Sequence, residues 1–64
     1  MPCASYYATY QAWLAQAGQW RAQAQQLNAA GQDPSHALNM AMQCDNAAMS
    51  ALAEYQACVA RKSN

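Results

Sequence analysis

Apolar residues fall at Tyr6, Tyr10, Trp13, Ala17, Trp20, Ala24 and Leu27, in steps that alternate between four and three residues. That spacing returns to one side of an α-helix and marks side chains that pack against a second helix. Bulky and small residues alternate along this seam, so its partner needs sizes running the opposite way. Gln16, Gln19, Gln23 and Gln26 occupy the opposite face, and Tyr7 and Leu14 lie off the seam on one flank. The pattern predicts a helix over about residues 5–30, with Ser5 as N-cap and Pro2 in the lead-in. Gly18 lies inside it at a cost of about 1 kcal/mol relative to Ala. Either a close helix–helix approach or plain exposure accounts for a glycine there.

Gly31-Gln32-Asp33-Pro34 is the clearest punctuation in the chain. Gly31 suits the left-handed position that ends a helix. Asp33 is a good N-cap, and Pro34 suits the first helical position, where its missing N–H is harmless. A connection this short, 31–33, makes the flanking helices antiparallel neighbours. The second helix is predicted over about residues 34–61, with Arg61 and Lys62 at the negative end of its dipole. It carries two stripes. One is small: Ala37, Ala41, Cys44, Ala48, Ala51, Tyr55 and Cys58. The other is larger: Leu38, Met42, Met49, Leu52 and Val59, interrupted by Asp45 and Gln56.

Folding the chain about the loop tests the match. Partners whose numbers add to 61 are Cys3–Cys58, Tyr6–Tyr55, Tyr10–Ala51, Trp13–Ala48, Ala17–Cys44, Trp20–Ala41 and Ala24–Ala37. Each Trp faces an Ala, so the seams agree in register and in size; a register shifted by one turn is the alternative. Helix 1 then uses up the small stripe, and the Leu/Met stripe is left over. A two-helix hairpin cannot bury two faces by itself. The expected fold is all-α: one domain over 1–64, an antiparallel two-helix hairpin that dimerises into a four-helix bundle or is covered by a partner protein.

Composition narrows the function classes. Of 64 residues 55% are apolar, but there is no Phe, no Ile and one Val, so a sheet is excluded. A chain this short builds a marginal core and usually needs a disulfide, a metal or a partner chain. Charged residues are only 9% and net charge is zero, which favours self-association. Arg21, Arg61 and Lys62 are the basic residues, too few for phosphate-backbone binding, so no nucleic-acid partner is expected. No run approaches the roughly 20 apolar residues of a membrane span. Met1-Pro2-Cys3 lacks the basic start and apolar run of a signal peptide.

Cys3 and Cys58 meet at the open end of the hairpin in the pairing above. A disulfide there closes a loop worth roughly 4 kcal/mol of chain entropy and implies a periplasmic or secreted setting. Two reduced cysteines, in a cytoplasmic setting, are the alternative. Cys44 falls mid-seam, where a buried small hydrophobe is the default, with an intermolecular disulfide as the other reading. His36, Met40 and Cys44 share one stripe, and sulfur plus imidazole suits Cu(I). His36 and Cys44 are two turns apart, about 12 Å along a helix, so one ion needs ligands from a second chain. The same spacing denies a Cys–His nucleophilic pair. With one His, three carboxylates (Asp33, Asp45, Glu54) and no Gly-rich loop, neither catalysis nor a cofactor is expected.

The aromatics Tyr6, Tyr10, Trp13, Trp20 and Tyr55 read as hairpin core with Ala17, Ala24, Leu27, Ala41, Cys44, Ala48 and Ala51. Tyr7, Leu14, Leu38, Met42, Met49, Leu52 and Val59 read as the dimer or partner interface. The string Tyr55-Gln-Ala-Cys58-Val-Ala-Arg61 is similar to the end of the second helix in the Rop family of plasmid copy-number regulators. Length and hairpin plan resemble that family too, and the resemblance implies a dimeric four-helix bundle. It covers seven residues, and the core phases upstream do not align. That family's RNA-binding face uses basic residues of helix 1; here helix 1 offers only Arg21, so the RNA function does not follow. The expected function is a non-enzymatic protein–protein interaction module, an adaptor or inhibitor, of a kind found among phage and mobile-element products. The alternatives are a periplasmic or secreted Cu(I)-binding hairpin and a structural subunit of a secretion or envelope assembly.

Overall fold

The computed structural model describes residues 3–63, and two helices account for nearly all of them: α1, Cys3–Ala29, and α2, Ser35–Ser63. They pack side by side as an antiparallel hairpin measuring 54 × 13 × 12 Å between Cα extremes. The radius of gyration is 15.2 Å, against about 11 Å for a compact domain of this length. Each helix therefore has one neighbour, and most of its circumference faces solvent.

The helix ends follow from local chemistry. α1 is already helical at Cys3, two residues before Ser5, and Cys3 is bonded to Cys58 of α2. Ser5 thus lies inside the helix instead of capping it, and its carbonyl accepts a hydrogen bond from the Thr9 hydroxyl at 2.9 Å. Pro2 lies outside the described residues. At the other end of α1, Gly31 adopts φ 75°. Its N–H donates to the Asn28 carbonyl at 3.1 Å, and the Gln32 N–H donates to the Leu27 carbonyl at 2.8 Å. This is the Schellman arrangement, which satisfies carbonyls that a helix end leaves over. Two residues later Asp33 caps α2. Its Oδ1 accepts from the Ser35 N–H at 3.0 Å and the Ser35 hydroxyl at 2.6 Å. Pro34 opens the first turn, and its carbonyl already accepts from the Leu38 N–H at 3.0 Å. α2 runs on past Arg61 and Lys62 to Ser63.

The seam is filled by small residues. Among the described residues the buried ones are Cys3, Ala17, Ala24, Ala37, Ala41, Cys44, Ala48 and Ala51. Tyr6, Tyr10, Trp13, Trp20, Leu27 and Tyr55 are only half-buried. The cause is geometric: a single seam between two helices covers a methyl group completely but covers one side of an aromatic ring. The Cys3–Cys58 bond, with Cα atoms 5.7 Å apart, sets the register at the open end and is the pairing whose numbers add to 61. Gly18 does not mark a close approach. A Cβ placed there meets nothing within 4 Å, so it is an exposed glycine.

Candidate protein-docking face

Two separate stripes of the sequence become one face in the fold. Arg21 follows Tyr7 and Leu14 at intervals of seven on α1, and Asp45 lies between Leu38, Leu52 and Val59 at the same interval on α2. Residues seven apart share a helix face. The Arg21 guanidinium donates to the Asp45 carboxylate across the seam, so these two stripes adjoin along one flank of the hairpin. Met42 and Met49 lie one step further round α2. The exposed large hydrophobics among the described residues are Tyr7, Leu14, Leu38, Met42, Met49 and Val59, and all of them belong to this flank. Met42 and Met49 are 61% and 59% exposed, the highest of the set. Leu52 is half-buried between them and the seam.

The face is aliphatic and neutral. Its one cation and one anion neutralise each other, with Arg21 and Asp45 side chains 51% and 36% exposed. A pair so open to water contributes little to stability; it leaves no net charge on the face. Tyr7 is less free than its exposure suggests. Its ring lies 5.1 Å from that of Tyr55 across the seam and 5.6 Å from that of Tyr10, which fixes its orientation at the open end.

The other flank has a different character. A shallow groove there is lined by Tyr6, Thr9, Trp13, Ala47, Ser50 and Glu54, so polar side chains edge the half-covered aromatic rings. Trp20 meets His36 edge-on at 5.9 Å. The Gln16 amide, expected on the outer face, instead lies over the seam and accepts a weak bond from the buried Cys44 thiol at 4.0 Å. His36, Met40 and Cys44 therefore do not converge. His36 is exposed against Trp20, Met40 is half-buried, and the Cys44 thiol is directed at Gln16. Among the described residues no three His, Cys, Asp or Glu side chains form a group able to hold a metal ion.

Asp33 accepts hydrogen bonds from both the backbone N–H and the hydroxyl of Ser35. Its carboxyl is held below its ordinary value, chiefly by the Ser35 hydroxyl and then by the Ser35 backbone N–H. The reason is that both donors favour the charged carboxylate. This group closes the loop end of the hairpin.

Sequence reasoning did not find the Arg21–Asp45 pair or the Trp20–His36 contact. A signal for the first was present: Arg21 and Asp45 fall at equivalent positions of the seven-residue pattern, Arg21 after Tyr7 and Leu14 and Asp45 between Leu38 and Leu52. No helix among the described residues is long and apolar enough to cross a membrane. The chain matches no family model, no curated protein and no solved structure, and the likeness of 55–61 to the Rop family gains no support from them.

Proposed function

We propose that this hairpin is a non-enzymatic protein–protein interaction module that acts by docking its aliphatic face on another helical surface, as an adaptor or an inhibitor. The observation that carries the reading is the single flank holding Tyr7, Leu14, Leu38, Met42, Met49 and Val59 together. Folded monomers seldom expose a contiguous apolar stripe of this length without a use for it. The exposed surface of 4532 Å² exceeds the roughly 4,000 Å² of a compact monomer of this mass. Methionine at the most exposed positions suits a docking surface, since its side chain adapts to a partner's shape.

A second copy of the chain fits this face, giving the homodimeric four-helix bundle. A face of 54 by 13 Å offers about 700 Å², close to the roughly 800 Å² that each partner of a standard interface contributes. The copies would lie antiparallel. The open end carries Arg61 and Lys62 and the loop end carries Asp33, so antiparallel copies juxtapose opposite charges. Parallel copies would stack each charge on its like. The Cys3–Cys58 bond favours an oxidising setting, periplasmic or secreted.

Sedimentation equilibrium of the oxidised chain from micromolar to millimolar concentration tests self-docking. The expected result is a mass rising from 6.9 kDa to twice that value. A monomer throughout removes the homodimer. Docking on other proteins is refuted if the same proteins bind the wild-type chain and a chain whose exposed methionines are replaced by glutamine.

A further inference from the structure

The two ends of the hairpin are held by different chemistry. At the loop end the backbone is continuous, and the Schellman bonds and the Asp33 cap close both helices. At the open end the helices are joined by the Cys3–Cys58 disulfide and by the Tyr7 ring on Tyr55. The buried side chains between them are small. The two least covered, Cys3 at 8% and Ala51 at 7% exposure, belong to the open-end half. Tyr7, Leu52 and Val59, three members of the aliphatic face, belong to that half too.

We propose that the Cys3–Cys58 disulfide is a redox gate on the docking face. Oxidised, it holds the open-end half of the face in one piece. Reduced, that half comes apart while the loop-end half stays paired, and docking is lost. The proposal rests on the docking reading above and adds its regulation.

The reductant is a dithiol. Its thiolate attacks Cys58, which is half-buried, rather than the more deeply covered Cys3. The Cys58–Cys3 bond breaks, Cys3 leaves as a thiolate, and a mixed disulfide forms at Cys58. The second thiol of the dithiol then displaces Cys58. Two electrons pass from the dithiol to the protein; the dithiol ends as a disulfide and Cys3 and Cys58 as thiols. Cys44, buried in the middle of the seam, takes no part.

Amide hydrogen exchange of the full chain, oxidised and then reduced with dithiothreitol, tests the gate. Cys44→Ala, treated identically, excludes exchange through the third thiol. Cys3→Ser/Cys58→Ser supplies a permanently open form free of reductant. Reduction should accelerate exchange at least a hundredfold over 3–14 and 50–60, and less than threefold over 20–45. The open variant should match the reduced chain. Unchanged exchange at the open end overturns the proposal. So does uniform acceleration along both helices, which would make the bond a staple of the whole fold. Sedimentation in the same buffers should show at least a tenfold weaker association after reduction; equal association overturns the gate. An oxidised chain that never associates refutes self-docking alone, because the exchange pattern decides the opening with or without a partner.

Discussion

Replacing Met42 and Met49 together with glutamine should separate docking from folding. Both residues are about three-fifths exposed in the single hairpin. Complete burial of a methionine side chain is worth roughly 1.5–3 kcal/mol, so covering the exposed part of each is worth about 1–2 kcal/mol. A symmetric dimer covers two such residues on each copy. Met42→Gln/Met49→Gln should therefore weaken the dimer by about 4 kcal/mol or more, near a thousandfold in Kd. The fold should hardly notice. Glutamine matches methionine in helix propensity, and substitutions at solvent-facing positions stay within about 0.5 kcal/mol. Sedimentation equilibrium reads the association, and thermal circular dichroism at concentrations where both proteins are monomeric reads the fold. A variant that associates as tightly as the wild type refutes the assignment of the face. A variant monomer that melts many degrees lower refutes the claim that these side chains face solvent in the hairpin.

Three further outcomes follow from the same geometry. Gly18→Ala should stabilise the hairpin by about 1 kcal/mol, raising Tm by about 4–8 °C, because nothing lies within 4 Å of the added Cβ; a lower Tm would mean that a partner packs there. Replacing the ion pair by leucine on both sides, Arg21→Leu/Asp45→Leu, should leave the monomer's helicity intact and tighten association at least tenfold, read by sedimentation, because the polar break in the face is filled. Asp33 has a folded-state pKa below its ordinary value, so its stabilising contribution is present above that ordinary value, near 4, and is lost as pH falls through the lowered folded-state value. Thermal melts from pH 6 to 2 should show this loss in the wild type and a smaller one in Asp33→Ala; parallel curves would refute the capping role.

The loop was fully legible because its chemistry is local. Gly31 at positive φ, Asp33 on Ser35 and Pro34 in the first turn need no information beyond four neighbouring residues. The start of α1 was less so. Ser5 is a good cap by its own chemistry, but the chain is already helical at Cys3, the residue bonded to Cys58. The size of the aromatics misled in one respect. Trp13 and Trp20 lie on the seam as their spacing requires, yet they are only half-covered, because a hairpin has no third element to lie over them.

By itself the sequence determined two helices and their antiparallel pairing, and it narrowed the register to within one turn; the Cys3–Cys58 bond decided between the alternatives. The helices, their pairing and the narrowed register follow from periodicity, a short loop and the complementarity of Trp with Ala along a line. Only the tertiary structure decided which flank is which. Periodicity gives each helix its stripes but does not say whether Tyr7 and Leu14 of one helix lie beside or opposite Leu38, Leu52 and the methionines of the other. That depends on how the two helices are rotated against each other. The Arg21–Asp45 pair records that rotation, and with it two unremarkable stripes became one continuous aliphatic face.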